Sequence, residues 1–153
     1  MFRSLRRAVV AARAAALLAL APAALREEAA AAALAADSLA FPRQFVQWVL
    51  TSQGDSAFAH AGPQLRESMK SAQGVNDMAG RVAARFGAVQ GTDAEVQFDE
   101  GPLKVYITAL RFATAPEPGA WVVVYSPATR VVERASFGPL SNIRQRYPQA
   151  KLP

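Results

Sequence analysis

The chain has no cysteine and a single histidine among its 153 residues. Without cysteine there are no disulfides, no thiolate metal sites, no thiol nucleophile and no lipobox-type lipid anchor. The one histidine, His60, stands between Ala59 and Ala61 with no local carboxylate or nucleophile beside it. Neither a catalytic triad nor a histidine metal site is written there, and it reads as a surface or packing residue. A glycine-rich phosphate loop, a G-x-S-x-G elbow and paired-cysteine sites are also missing. The acids of GTDAEVQFDEG lack the spacing of a calcium loop. No cofactor and no metal ion is expected.

A strong excess of one charge is lacking too, once position is considered. The formal charge is +5, but residues 1–36 alone hold five arginines against two acids. From Asp37 onward 12 basic residues stand against 10 acidic ones. That is too little for the basic footprint nucleic-acid binding requires, so no nucleic-acid partner is expected.

Nor is there a long apolar run. MFRSLRR leads into AVVAARAAALLALAPAAL, whose uninterrupted part, Ala14 to Leu25, is about 12 residues. A bilayer core of about 30 Å needs about 20. A basic start, a short apolar core and small-residue triplets (Ala19-Leu20-Ala21, Ala33-Leu34-Ala35) make the pattern of a secretory signal. Pro22 suits a signal better than a permanent anchor. The Arg6-Arg7 pair fits a twin-arginine route only loosely. An uncleaved anchor and an arginine- and alanine-rich organellar transit peptide are the competing readings. The expected location is exported, periplasmic or secreted, with membrane contact only through this segment if it stays uncleaved. Residues 1–36 are set apart as the signal or apolar segment with its alanine-rich spacer, 39–138 as the folded domain, and 139–153 as a polar tail.

What is present divides into a helical half and a strand half, within a length that suits one domain with a real core. Leu39, Phe41, Phe45, Trp48, Val49 and Ser52 follow helical spacing. The spacing predicts a helix stopped by Gly54, with Asp55 capping a second helix that carries Phe58. Leu65 and Met69 mark a third helix, with Arg66, Glu67 and Lys70 on its wet side. Val75, Met78, Ala79, Val82 and Phe86 mark a fourth, with Asp77 in its first turn, Arg85 in its last, and Gly87 as its stop. Gly80 inside this helix predicts a close approach by a neighbouring element.

Strands follow at Val89–Phe98, Leu103–Thr114, Trp121–Tyr125 and Arg130–Phe137, joined by short turns into an antiparallel meander. In LKVYITALRFAT the alternation changes phase, which predicts either a bulge near Thr108 or a strand covered on both faces. WVVVY reads as a central strand buried on both faces. In the tail, Leu140, Ile143 and Tyr147 are candidate docking points. The fold class is α+β, with N-terminal helices packed on a curved four-stranded antiparallel meander.

This layout resembles the nuclear-transport-factor-two-like superfamily, the cystatin-like α+β roll. The local text is similar to its small bacterial domains of unknown function. An aromatic helix (Phe45, Val46, Trp48, Val49) runs into Gly54-Asp55 and a short helix with Phe58, then Leu65, Met69 and the Phe86-Gly87 pair. The resemblance covers about residues 41 to 138 and implies a cone-shaped cavity between the helices and the concave sheet face. Its uses across the superfamily range from small-ligand binding through isomerase or dehydratase chemistry to dimerisation.

Enzymes that resemble this fold place an Asp or Glu inside the cone, its pKa raised by apolar walls. Asp55 and Asp99 have local roles as cap and turn residues. Glu133, placed by alternation on one face with Val131 and Ala135, is then the candidate catalytic carboxylate. Trp48, Phe58, Tyr106 and Trp121 are candidate pocket residues, and with Phe112 and Tyr125 they equally suit a core. The leading expectation is a non-catalytic module that binds an apolar small molecule or a protein partner. The alternatives are a small lyase- or isomerase-type enzyme using Glu133, and a structural domain that forms homodimers through its sheet.

Overall fold

Four short helices and then four strands follow one another in the computed structural model, which describes residues 38–153. The expected signal segment and alanine-rich spacer lie outside the described residues. Helix α1, Ala40–Leu50, buries Pro42, Phe45, Val46 and Val49 along one stripe. Gly54 does not end it. The last helical residue is Leu50, and the chain turns through Thr51 and Ser52, the latter at φ +56°.

Gly54 instead opens α2, Gly54–Ala59, and is buried against α4. Its N–H donates to Asn76 Oδ1 at 2.9 Å. A Cβ here would stand 2.7 Å from that oxygen and 2.9 Å from the Ala72 carbonyl carbon. The glycine is therefore required by a close approach between helices rather than by a left-handed turn. Asp55 is not the cap either; Gln53 holds that position and Asp55 lies in the first turn, where its charge suits the helix dipole.

Helix α3, Pro63–Met69, starts on its proline, buries Leu65 and Met69, and leaves Arg66 and Glu67 exposed. Lys70 then takes φ +66°, ψ −39°, and Ser71 N–H donates back to the Met69 carbonyl at 2.8 Å. This is a γ-turn of the strained, positive-φ hand. Ser71 caps helix α4, Ala72–Phe86, by accepting from Gly74 N–H at 3.1 Å. Val75, Ala79 and Val82 are buried along α4, and Gly87, at φ +81°, ends it as the sequence predicts.

Two details of α4 differ from expectation. Asp77 lies beyond the first turn and accepts from Gln73 Nε2 at 2.8 Å. No element approaches Gly80, where an added Cβ would meet nothing within 4 Å.

Strands β1 (Val89–Glu100), β2 (Leu103–Phe112), β3 (Gly119–Ser126) and β4 (Val131–Pro139) form one antiparallel sheet in the order β1-β2-β3-β4. The fold is thus an α+β arrangement of helices followed by a four-stranded meander. Period-two alternation gives the central strands two faces. Tyr106, Thr108, Leu110, Trp121, Val123 and Tyr125 point to the helices. Val105, Ile107, Ala109, Ala120, Val122 and Val124 point the other way, and all twelve are buried.

The phase change within β2 therefore reflects cover on both sides. β2 pairs with β3 without irregularity, and the bulges lie at Gln90 and Asp93 in β1 and at Glu133 in β4.

The cover on the second face is the C-terminal segment. Helix α5, Leu140–Arg146, buries Leu140 and Ile143 against Val105, Ile107, Val122 and Val124. Ala150 is buried with them, and Tyr147 and Leu152 pack at the margin, the Tyr147 ring 6.2 Å from that of Phe98. The compact unit runs from Phe41 to Pro153, so the tail belongs to it. Among the described residues no helix is long and apolar enough to cross a membrane.

Candidate functional site

β1 is an edge strand, and what its inner face presents depends on its two bulges. A regular strand returns to the same face every second residue, and each bulge inserts one residue more. The inner-facing series is accordingly Val89, Thr92, Glu95 and Gln97, paired in register with Phe112, Leu110, Thr108 and Tyr106. Helix α1 passes alongside in the opposite sense, with Arg43 at the Glu95 end and Leu50 at the Val89 end.

Two cavities that adjoin at Gln47 make up a candidate groove in two sections, one between α1 and β1 and the other between α1, α4 and the start of β1. The polar section, about 270 Å³, is lined by Arg43, Thr92, Glu95, Tyr106 and Thr108. The larger section, about 400 Å³, is lined by Leu50, Ala79, Val82, Ala83, Val89 and Phe112. Val89 is the exposed large hydrophobic residue among those described, and it sits at this apolar end.

One ion pair dominates the polar section. The Arg43 guanidinium grips Glu95 through Nε, at 2.9 and 3.1 Å from the two carboxylate oxygens, and through Nη2 at 2.7 Å. Such a fork adds directional hydrogen bonds to the charge attraction. The Tyr106 hydroxyl also donates to Glu95 Oε1. The bonds from Arg43 hold the Glu95 carboxyl below its ordinary range, against the opposing effect of burial. Burial first, and the bond to Glu95 second, push Tyr106 above its ordinary value. At neutral pH the carboxylate is ionised and weakly basic, and the phenol keeps its proton. A pair poised this way is suited to hold a hydrogen-bonding ligand and poorly suited to move protons.

The candidate pocket residues do not converge. Tyr106 lines the groove. Trp48 lies on the His60 ring, with centroids 5.0 Å apart and planes at 16°. Phe58 carries the Arg66 guanidinium 5.3 Å above its ring. Trp121 is fully buried against Phe137 at 5.2 Å, with its indole N–H lacking an acceptor among the described residues. His60 meets the edge of Phe41 at 5.5 Å and directs Nδ1 to the Arg130 carbonyl at 3.0 Å, which makes it a packing residue.

The candidate carboxylate Glu133 is the extra residue of the β4 bulge, at the sheet edge opposite β1. Its expected companions separate: Val131 pairs with Ser126 and Ala135 with Val123, on opposite faces. Glu133 lies over Gly62, where an added Cβ would come within 2.5 Å of Oε2. It takes no part in the groove. Asp99 is exposed and paired with Lys104 at 2.7 Å.

The groove carboxylate is Glu95, which the sequence reading passed over. Its signal is present in AEVQF, where Glu95 and Gln97 alternate with Val96 and Phe98 on a strand with one polar inner edge. Nothing in the sequence joins it to Arg43, 52 residues away. Among the described residues no three histidine or acidic side chains gather to hold a metal ion. Comparison with protein-family models, with curated proteins and with solved structures gives no match.

Proposed function

We propose that the chain is an exported, non-catalytic binding domain that takes a small amphipathic molecule lengthwise in the groove between α1 and β1. The observation that carries this reading is the groove's division into a polar and an apolar section meeting at Gln47. Together the two sections fall within the roughly 300–1,000 Å³ typical of small-molecule sites. The reading includes export, on the basic, apolar and small-residue pattern of the first 36 residues. It also includes kinship with the nuclear-transport-factor-two-like rolls, supported by the order of helices and meander.

Two alternatives are less well supported. An acid–base enzyme needs a carboxyl whose pKa is raised toward neutrality, and Glu95 is shifted the other way. Dimerisation through the broad sheet face needs apolar area there, and α5 with the tail already covers it.

Native mass spectrometry of the purified protein, together with thermal-shift screening of amphiphiles, tests the proposal. The companion variant is Ala83→Trp, which places an indole in the apolar section from an exposed helical position. The expected result is a ligand that stabilises the wild type and loses its effect in Ala83→Trp. A protein that retains nothing and responds to no amphiphile overturns the reading. So does binding that ignores Ala83→Trp.

A further inference from the structure

We propose that the cleft between α3 and α4 is a second binding site, one for an aromatic carboxylate, with Lys70 and Arg81 taking the carboxylate and Met69 and Met78 the ring. It is separate from the groove beside β1 and stands without the reading given for that groove. The chain has three methionines, and the two that follow Met1 line this one cavity of about 340 Å³. Leu65 of α3 and Ala135 of β4 complete the apolar part of its wall. Met69 is buried and Met78 half-buried. Thioethers are polarizable and adapt their shape, and they make favourable contacts with aromatic rings.

The polar part of the wall is cationic. Lys70 stands in the turn after α3, and Gly74, Met78 and Arg81 follow one another along a single stripe of α4. Exposed lysines and arginines are ordinary in themselves; these two are set apart by their surroundings. The described ion pairs join acids to Arg43, Lys104, Arg111 and Arg134. Among the described residues neither the Lys70 nor the Arg81 side chain has an ion-pair or hydrogen-bond partner. Asp77 is the one acid of the cleft, and its carboxylate accepts from Gln73 Nε2 at 2.8 Å. The Ser68 hydroxyl donates to the Leu65 carbonyl at 2.8 Å. Two cations therefore stand against one anion, which favours a ligand carrying a single negative charge.

The backbone keeps Lys70 in this place at a cost. Its φ of +66° is a conformation that glycine adopts freely and lysine does not. Gly74 packs so closely on the end of α3 that an added Cβ would collide with the Met69 carbonyl oxygen, and this contact fixes the turn. Strain held by a side-chain-bearing residue at the mouth of a cavity points toward function. Lysine supplies a charge there that the less strained glycine would not.

Volume sets the size of the ligand. At roughly 30 Å³ per group, the share of a water in the liquid, about 340 Å³ holds on the order of ten non-hydrogen atoms. A phenyl ring on a short carboxylic acid chain has that size.

Four probes test the assignment by calorimetry at neutral pH on the full protein: 3-phenylpropanoate, 3-phenylpropan-1-ol, 3-phenylpropylamine and octanoate. The wild type is expected to bind 3-phenylpropanoate at least tenfold more tightly than the alcohol or the amine, and more tightly than octanoate. Lys70→Gly, which also relieves the turn, and Arg81→Gln, at an exposed position, should each weaken 3-phenylpropanoate binding about tenfold, the value of one charged hydrogen bond. Added salt should weaken it as well. The alcohol or the amine binding as tightly as the acid overturns the inference, and so do two charge variants that leave the affinity unchanged. Octanoate binding as tightly as 3-phenylpropanoate overturns the part given to the ring. Binding that Ala83→Trp abolishes belongs to the groove and overturns the second site. If no probe binds, this site fails while the groove reading, tested with amphiphiles, is untouched.

Discussion

Gly54 offers the sharpest test of how the helical layer is built, because sequence and structure assign it opposite roles. As a helix stop, glycine there needs a left-handed backbone, and alanine would strain the turn. As the first residue of α2, glycine is a weaker helix former than alanine, which should gain up to about 1 kcal/mol from propensity alone. The structure reverses that gain through contact. An added Cβ would stand 2.7 Å from Asn76 Oδ1 and 2.9 Å from the Ala72 carbonyl carbon, closer than real Cβ atoms come. The obstacle at Ala72 is helical backbone, so α2 and α4 must separate.

Overpacking of this kind costs about 1–3 kcal/mol. Separation also breaks the 2.9 Å bond from Gly54 N–H to Asn76, and leaving that buried donor unpaired costs about 1–3 kcal/mol more. Less the propensity gain, Gly54→Ala should destabilise by about 1–5 kcal/mol, on the order of 10 °C in Tm for a domain near 100 residues.

The matched control is Gly80→Ala on α4. Its Cβ would meet nothing within 4 Å, so the propensity gain should appear undiminished, at about 0.5–1 kcal/mol. Urea denaturation followed by circular dichroism reads both, provided the m-value is unchanged. The same substitution on two touching helices must move stability in opposite directions. If Gly54→Ala proves neutral or stabilising, the α2–α4 contact does not explain this glycine.

Lys70→Gly should stabilise by about 1 kcal/mol, since it relieves the γ-turn at φ +66° at a smaller penalty in unfolded-chain entropy; loss of stability in the urea midpoint would contradict the strain. Because the folded pKa of Glu95 is depressed, its contribution is present above the ordinary value of 4.5 and lost as pH falls through the lower folded value. With Arg43 half-exposed this amounts to about 1 kcal/mol or less, and the stability gap between wild type and Glu95→Gln should narrow from pH 5 to pH 3; a widening gap refutes the assignment. Ending the chain at Pro139 uncovers Val105, Ile107, Val122 and Val124 and forfeits burial of Leu140 and Ile143, worth about 1.5–3 kcal/mol each. The shortened protein should self-associate in sedimentation and bind an apolar dye, and a dye-silent monomer would show that the tail covers nothing of consequence.

Element order was legible because the signals were periodic and repeated. Four helices and four strands each carry several residues in phase, and Gly87 follows a long run that fixes its role. Single glycines were not legible in the same way. A missing side chain serves a positive φ, a close approach or neither, and Gly87, Gly54 and Gly80 are one case of each. Only the neighbouring element decides between them. The tail was half legible. Leu140, Ile143 and Tyr147 make a narrow stripe in a polar segment, and the apolar outer face of β2 and β3 was evident without showing that this stripe was its cover.

The faces on which Glu133 and Glu95 lie are both set by strand bulges. Period-two alternation holds only while every residue of a strand has one partner, and a bulge resets it. Glu133 is the candidate that is left once Asp55 and Asp99 have local roles, and alternation places it with Val131 and Ala135. Glu133 is itself the inserted residue, so those neighbours fall on opposite faces and the argument dissolves at that position. Glu95 carries no motif of its own, and strict alternation groups it with Val89, Gly91, Asp93 and Gln97. The insertions at Gln90 and Asp93 keep Val89 on that face and put Thr92 there in place of Gly91 and Asp93. That change replaces a glycine and an acid with one hydroxyl-bearing side chain between Val89 and Glu95. It also leaves Glu95 as the only acid of the β1 inner face opposite Arg43, since Asp93 is drawn to Arg111 instead. The bulges, more than any single side chain, decide which charge meets which, and a reading of this site from sequence would have to locate them first.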